Sequence, residues 1–416
     1  MNSSEQAAQP SPWSSVWTKP GDTIERILAE RPRRGVLLLG SVGLMSGSVS
    51  QLLGFGIQNH AFDWRIVVAL VVACVIGGIV SLYIAAFMLK YCGRMLGGRA
   101  SAADLRTVVA WGMTPGILGL IVAVALAVVA SVASRAGEPA PAWLFSLLQT
   151  TILTFGIGSV IGFAKMLARV EGFGFWRTAT ACILGWLLTL ALSLSIAVGI
   201  RTVLFQPFST PSHAMNPTLL VGDNFFVSKF SYGYTHYSIP LSPHWFSGRI
   251  FGAEPARGDV VVFRIPKDDS VDYIKRVVGL PGDRIQVKQG MLTINGTAVK
   301  REPMADFIGD GSCGENAAAP VKRWRETLPN GVSYETLDCV ENGLYDNTRI
   351  FEVPAGQFFA LGDNRDNSTD SRLATFGTIP FDNLVGRARM IFLSVAPASG
   401  DAPSVARPER VGQMIQ

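Results

Sequence analysis

The sequence predicts a chain of two parts with different fold classes: an N-terminal all-α bundle of about five transmembrane helices, then a mostly-β domain. Long apolar runs with few charges fill residues 23–200, whereas the remainder has short apolar runs punctuated by Gly and Pro. At 416 residues the chain is also too long for one typical domain. We therefore predict an unstructured tail at 1–22, a helical membrane domain at 23–200, a β domain at 201–395 and an unstructured tail at 396–416.

The membrane domain is predicted from apolar stretches that each approach or exceed the roughly 20 residues needed to cross a bilayer core. The residues before them are polar and rich in Pro and Ser, too poor in apolar side chains to fold alone. The third stretch is the hardest to bound, because Val108 to Met113 is also apolar and Pro115 marks either a kink or a helix start. The five stretches are about 35–57, 66–89, 115–133, 143–167 and 178–200.

Basic residues sort the flanks of these stretches into two sides. A rich side carries Lys19, Arg26, Arg31, Arg33, Arg34, Lys90, Arg94, Arg99, Arg106, Lys165, Arg169 and Arg177, and a poor side carries Arg65, Arg135 and Arg201. The positive-inside rule then puts the N-terminus in the cytoplasm and residues 201 onward outside. The net charge of +5 is explained by these flanks, so nucleic acid is not an expected partner. The five-helix arrangement resembles a Yip-type membrane domain in hydropathy and helix count.

Short β-type runs separated by turn residues follow residue 201. They are predicted at 259–265, 273–278, 284–287, 291–294, 357–361 and 387–393. Two cysteines of this part, Cys313 and Cys339, form a disulfide if the domain lies in an oxidising compartment, and two free thiols are the alternative.

The first chemically informative segment follows the fifth apolar stretch: residues 207–219 read PFSTPSHAMNPTL. This segment resembles the nucleophile motif of type I signal peptidases, Pro-Ser-x-Ser-Met-x-Pro-Thr-Leu, in which the second serine attacks the peptide bond. Ala214 stands at the position of that serine, and Ser212 matches the first one.

A lysine in an apolar strand forms the second segment, residues 257–263 and 273–283, which read RGDVVVF and YIKRVVGLPGD. An ordinary lysine is protonated at neutral pH and can act as a base only if burial lowers its pKa by several units. Lys275 has the apolar neighbours for this, and Arg276 is expected to point to the opposite face of the strand. The segment resembles the family's general-base motif.

Residues 362–372, GDNRDNSTDSR, resemble the family's last motif almost residue for residue. The resemblance implies that Ser368 hydrogen-bonds and orients the lysine amine, while Asp363, Asp370 and Arg372 brace the loop. Taken alone, each segment has a plainer interpretation: a loop after a helix, a solvent-facing strand lysine, or an Asp-rich turn or calcium loop. Three motifs in the family's order favour the resemblance over all of these.

The resemblance implies a serine endopeptidase with a Ser/Lys dyad that removes signal peptides, uses no metal or cofactor, and stabilises the oxyanion with the residue 214 N–H and the Ser212 hydroxyl. With Ala214 this chain is expected to bind substrate without cutting it. The retained lysine and serines favour a deliberate substitution over natural drift. A natural pseudoprotease that binds signal peptides or regulates an active paralogue is the alternative, and a membrane scaffold is a third class.

The implied substrate is the C-terminal end of a signal peptide carrying Ala-x-Ala, paired with strand edges. The residues expected to contact it are Phe208, Pro211, Met215, Asp272 and Ile274. The implied setting is the bacterial inner membrane with a periplasmic catalytic domain, and the implied partners are exported preproteins, the lipid bilayer and the secretion translocon. Residues 297–352 fall where the family accepts a variable cap.

Overall fold

The computed structural model describes residues 11–30, 35–58, 64–135, 142–308, 311–313, 320–397 and 404–416. The chain divides into two compact units, Met1–Ser195 and Ile196–Gln416. This division lies close to the predicted border between residues 200 and 201. Each unit is described separately below.

The first unit is helical throughout the part that the structure describes. Its helices are α1 Pro12–Thr18, α2 Pro20–Glu30, α3 Val36–Gln58, α4 Trp64–Met95, α5 Ala102–Gly112, α6 Thr114–Arg135, α7 Ala142–Glu171 and α8 Phe175–Val203, the last of which continues into the second unit. A capping box starts α5, where the Ser101 hydroxyl accepts from the Asp104 N–H and the Asp104 carboxylate accepts from the Ser101 N–H. Pro115 is the second residue of α6, so it marks a helix start.

Several of these helices are long and apolar enough to cross a membrane, which confirms the predicted helical N-terminal region. Among the residues searched they are Val75–Met95, Ala102–Ala130, Trp143–Glu171 and Phe175–Val203, and Val36–Gln51 is a shorter apolar helix. The third predicted stretch therefore begins earlier than predicted, because α5 and α6 together form one apolar segment.

The prediction of an unstructured tail at residues 1–22 is wrong for its described part. Helix α1 and the start of α2 occupy residues 12–22, while residues 1–10 lie outside the described residues. Val16 and Ile24 are buried in the core of the helical unit, and the Trp13 ring lies 5.1 Å from that of Trp111. The segment is too polar to fold alone, but it folds because the apolar helices supply a surface that buries its few apolar side chains.

The second unit is mostly β. Its strands are β1 Phe205–Ser209, β2 Asp223–Ser228, β3 Val260–Ile265, β4 Asp268–Gly279, β5 Arg284–Lys288, β6 Met291–Ile294, β7 Thr297–Ala298, β8 Lys300–Pro303, β9 Phe307–Ile308, β10 Pro320–Thr327, β11 Ser333–Asp338, β12 Phe351–Glu352, β13 Gln357–Leu361, β14 Ile379–Pro380, β15 Leu384–Ala396 and β16 Val405–Ala406. All six predicted strands are present, and β6 and β13 have the predicted bounds.

The central sheet has the strand order β1-β2-β15-β3-β4-β13-β14, and β16 pairs with β15. Strands β3 and β4 pair antiparallel with Val261 opposite Lys275. Residues 260–263 of β3 are all buried, since apolar clusters cover both faces of the sheet here. The predicted cap region contributes strands to two smaller sheets, β11-β10-β8 with β9, and β12-β5-β6-β7.

The prediction of an unstructured C-terminal tail is wrong for residues 404–416. Val405–Ala406 pairs with β15, and Ile415 is buried in the core against the central sheet. Arg410 forms an ion pair of 2.5 Å with the fully buried Asp223. The segment lacks a periodic apolar pattern, and its order depends on a carboxylate nearly two hundred residues earlier, which local sequence does not reveal.

Candidate active site

Position 214 lies in a short 3-10 turn, His213–Met215, after edge strand β1. Ala214 is 7% exposed, and its carbonyl accepts a hydrogen bond of 3.2 Å from the Asn364 N–H. Ser212, just before the turn, has an extended backbone and an exposed side chain. The turn therefore holds residue 214 against the backbone of Asn364.

Lys275 is buried in β4, as its apolar neighbours predict. It is 4% exposed, and its Nζ donates to the Ile274 carbonyl at 2.9 Å. Burial lowers the pKa of Lys275 from 10.5 to about 8, although the charges of Asp370 and Asp363 act in the opposite direction. Strand β4 packs against the turn that carries Ala214, so this amine lies in the same region as position 214.

Arg276, the next residue of β4, joins three parts of the site, a role that the sequence did not reveal. It is fully buried and donates two hydrogen bonds to Asp363, of 2.8 and 2.7 Å. Asp363 also accepts a hydrogen bond of 2.5 Å from the Thr218 hydroxyl, and Arg276 donates to the backbone oxygen of Gln416 at 2.7 Å. The Arg276–Asp363 pair thus connects residues 207–219, strand β4 and the Asp/Asn-rich loop of residues 362–372.

Asp370 and Arg372, to which the resemblance assigns the bracing of that loop, are bonded to each other and to its backbone. Arg372 forms hydrogen bonds of 2.9 and 2.8 Å with the Asp370 carboxylate and a third, of 2.6 Å, with the Arg365 carbonyl. Burial alone would raise the pKa of Asp370, but Arg372, the Gly362 N–H and Lys275 outweigh it and lower that pKa. Asp370 is therefore an anion close enough to Lys275 for each to influence the titration of the other.

The predicted hydrogen bond between Ser368 and Lys275 is absent from the structure. The Ser368 hydroxyl is buried and has no hydrogen-bond partner among the described residues. The Lys275 amine instead donates to its neighbouring carbonyl in β4, which satisfies one of its donors locally. Ser368 nevertheless lies within the site, beside position 214.

Gly362 explains how closely these parts approach. A Cβ at this position would lie 2.2 Å from the Ser368 hydroxyl and 2.6 Å from the Ala214 carbonyl oxygen. Both atoms therefore touch the Gly362 backbone, and any side chain there would push them away. The glycine is required by this close contact.

A groove of about 410 Å³ runs beside the site, and it includes four of the five predicted substrate-contact residues. Its lining residues are Pro207, Phe208, Ser209, Pro211, Asn224, Phe225, Val262, Asp272, Tyr273 and Ile274. Met215, the fifth, is fully buried in the core with Val260 and Val262 and does not line the groove. The prediction for Met215 misplaces it, because the 3-10 turn directs its side chain into the core.

Cys313 and Cys339 form a disulfide with a Cα to Cα distance of 5.5 Å, the first of the two sequence-based alternatives. The Cys339 sulfur lies 3.4 Å from the Asn364 amide oxygen. The bond therefore lies next to the loop that supports position 214. Within the residues searched, no group of three or more His, Cys, Asp or Glu side chains is placed to hold a metal ion.

Comparison with known proteins matches the C-terminal half of the chain to a known family. The model described as signal peptidase, peptidase S26, matches residues 183–393, about half of the chain. Signal peptidase I of Rickettsia typhi is 43% identical over 211 residues, which cover 48% of this chain and 76% of that protein. Signal peptidase I of Rickettsia conorii is 42% identical over 216 residues, or 49% and 77% of the two chains. The chain belongs to the signal peptidase I family.

The N-terminal half of this signal peptidase family member matches a different model, the Yip1 domain, over residues 14–198. A signal peptidase I structure from Enterococcus faecalis V583 is 25% identical and covers 32% of this chain and 97% of its own, with a TM-score of 0.20, too low to carry an argument. The family assignment therefore depends on the sequence matches, and the chain joins a Yip1 domain to a signal peptidase domain.

Proposed function

We propose that this chain is the framework of a membrane-bound serine endopeptidase that removes N-terminal signal peptides by a Ser/Lys dyad, and that Ala214 makes it inactive. The observation that carries the proposal is the buried amine of Lys275, whose pKa is lowered to about 8, in a strand packed against the turn of residue 214. About a tenth of such an amine is neutral at pH 7.

These groups support the following mechanism. A serine hydroxyl at position 214 transfers its proton to the neutral Lys275 amine while its oxygen attacks the scissile carbonyl. The Lys275 ammonium then gives this proton to the amine of the mature protein as the peptide C–N bond breaks, which leaves an acyl-enzyme and a neutral lysine. The residue 214 N–H and the Ser212 hydroxyl stabilise the oxyanion, and Lys275 then accepts a proton from the water that releases the acyl group. Ala214 keeps the backbone N–H but has no oxygen to attack with. Loss of the nucleophile in a unit of this kind lowers the rate by about a million-fold.

The groove fits an extended peptide. Strand β1 is at the edge of the central sheet. Strand β13 pairs with residues 276–279 of β4, and on that side of β4 no described strand pairs with residues 272–274. Phe208 and Ile274 line the same groove, so a peptide between the two edges can pair with both backbones. We propose that this groove receives the C-terminal end of the signal peptide and selects its small side chains.

Two observations support a periplasmic position for the second unit. The predicted topology puts residue 201 on the side of the membrane with few basic residues. The Cys313–Cys339 disulfide requires an oxidising compartment, which the bacterial periplasm is and the cytoplasm is not. We propose that the chain lies in the inner membrane, where exported preproteins and the secretion translocon are its expected partners.

Restoration of the nucleophile tests the proposal. We expect Ala214→Ser to cleave a preprotein with Ala-x-Ala before the cut, and the unaltered chain, which differs from it by one oxygen atom, to be at least ~10⁴-fold slower. Cleavage is measured by the appearance of the mature N-terminus in detergent or vesicles. No cleavage by a folded Ala214→Ser chain would contradict the enzyme assignment.

A non-catalytic binder is the second candidate, and Ala214 itself favours it. The groove and Lys275 are intact without a nucleophile, so the chain can hold a signal peptide without cutting it. The codon at position 214 of the encoding gene decides between the two, because a serine codon there excludes a natural pseudoprotease.

A further inference from the structure

The carbonyl of Ser312 accepts hydrogen bonds from two side chains of the Asp/Asn-rich loop. Asn364 Nδ2 donates to it at 2.9 Å and Asn367 Nδ2 at 3.0 Å. The Asn367 N–H donates to the Asn364 side-chain oxygen at 3.2 Å. Asn364 is fully buried, so its amide depends on partners within the protein. Its own N–H is the group that holds the Ala214 carbonyl.

The end of strand β11 holds the same loop from a second direction. The Leu337 N–H donates to the Asp363 carbonyl at 2.9 Å, and the Arg365 N–H donates to the Leu337 carbonyl at 3.0 Å. Beyond this strand, the N–H groups of Cys339 and Val340 donate to the Asp366 carboxylate at 2.7 and 3.0 Å. Hydrogen bonds from residues 362–372 to the Ser312 carbonyl and to residues 337–340 therefore fix this loop. The Cys313–Cys339 bond links the segment of Ser312 to residues 337–340.

We propose that the Cys313–Cys339 disulfide is a positioning element of the active site, which fixes residue 214 through the Ser312 carbonyl and the side chains of Asn364 and Asn367. The inference rests on the proposed function, because it makes residue 214 the position of the nucleophile. Residues 311–313 form no strand, so the cross-link to Cys339, 26 residues later, is the covalent restraint on Ser312. Without it, more conformations become accessible to this segment, and the Asn364 and Asn367 amides lose a fixed acceptor.

Catalysis is more sensitive to such a change than stability is. A nucleophile displaced by about 1 Å can lose roughly 100-fold in rate. Neither cysteine is among the residues that line the groove, and the Lys275 amine donates to a carbonyl of its own strand, so we expect the substrate contacts to keep their positions when the disulfide is removed. We therefore expect an effect on kcat with little effect on KM.

Hydrogen exchange tests the positioning role in the chain as it is, with Ala214. The variant is Cys313→Ser/Cys339→Ser, and the matched control is Cys92→Ser/Cys182→Ser, which changes two free cysteines of the helical unit. We expect residues 212–219 and 362–372 to exchange at least ~10-fold faster in the variant only, while residues 260–265 and 273–279 exchange at the control rate. Equal protection of 212–219 in both chains would overturn the proposal.

Activity tests it in the Ala214→Ser background. We expect Cys313→Ser/Cys339→Ser to lower kcat by about 10- to 100-fold with KM within about 2-fold, and dithiothreitol to produce the same loss in the disulfide-bonded chain but no further loss in the variant. An unchanged kcat would overturn the positioning role. If Ala214→Ser is inactive with the disulfide intact, the proposed function fails, and the exchange measurement still decides the positioning role.

A third variant covers the case in which the double serine chain does not fold. Asn367→Ala removes one of the two donors to Ser312 and leaves both cysteines in place. We expect faster exchange of residues 212–219 and a lower kcat in this variant too. Unchanged exchange and an unchanged kcat in a folded Asn367→Ala chain would overturn the proposal.

Discussion

The second unit contains two buried lysines in different surroundings, Lys275 in β4 and Lys229 directly after β2. Lys275 is 4% exposed and Lys229 is fully buried. Burial lowers the pKa of each amine from 10.5 to about 8. Each also donates to a backbone carbonyl, Lys275 to that of Ile274 at 2.9 Å and Lys229 to that of Tyr237 at 3.3 Å. By pKa and burial alone, the two are equally suited to act as a base.

Their neighbours differ. Lys275 feels the charges of Asp370 and Asp363, both in the loop that touches position 214, whereas the carboxylate that acts on Lys229 is Asp272 in the groove wall. A lowered pKa therefore shows only that an amine is buried. Whether the amine acts as a base depends on whether the serine hydroxyl restored at position 214 lies within its reach. Experiments on the two lysines can separate the effect of a lowered pKa from the effect of the amine's position.

Replacement of each lysine should give the largest difference between them. In the Ala214→Ser background, we expect Lys275→Met to lower kcat/KM by at least ~10⁴-fold, because no other base is in place, and Lys229→Met to keep it within about 10-fold. Both changes remove a buried amine and keep a similar side-chain volume. Cleavage rates and melting temperatures are compared for the two variants. Equal losses in two folded variants would show that the site does not distinguish the lysines.

The pH dependence of the restored enzyme should follow Lys275. The base must be neutral, and the neutral fraction falls as the pH drops through a pKa of about 8. We therefore expect kcat/KM of Ala214→Ser to decrease about 10-fold per pH unit below pH 8. Lys229→Met, which removes the other group of the same pKa, should leave this midpoint in place. A flat profile between pH 6 and 8 would exclude a lysine base.

Local patterns predicted much of the site. The apolar neighbours of Lys275 indicated its burial, and the Asp370 and Arg372 pair follows from the resemblance. The connection through Arg276 could not be predicted, because its partner Asp363 lies 87 residues away and the sequence shows only a charged residue in an apolar strand. The Ser368 hydrogen bond was wrong because it depends on the direction of the Lys275 amine, which a motif does not specify.

The fold shows the same division between local and distant information. Hydropathy predicted the apolar helices, and short β-type runs between turn residues predicted strands of the central sheet, since both patterns are contained within one element. Within the residues that the structure describes, the prediction of unstructured terminal segments is wrong for residues 12–22 and 404–416. Val16 and Ile415 are buried by residues far away in sequence, and a composition argument counts only the residues within the segment.

The smallest expected effect is a shift of the pH midpoint when a neighbouring carboxylate is neutralised. The charge of Asp370 raises the pKa of Lys275, so Asp370→Asn should lower that pKa. In the Ala214→Ser background, the pH at which kcat falls to half of its maximum should then move to lower pH. Asp272→Asn is the matched change at the other lysine. It should lower the pKa of Lys229 and leave the pH midpoint of kcat unchanged. The midpoint of kcat is compared because it is independent of how much active enzyme each variant retains. A shift to higher pH in Asp370→Asn, or an equal shift in both variants, would mean that the titrating group is not Lys275.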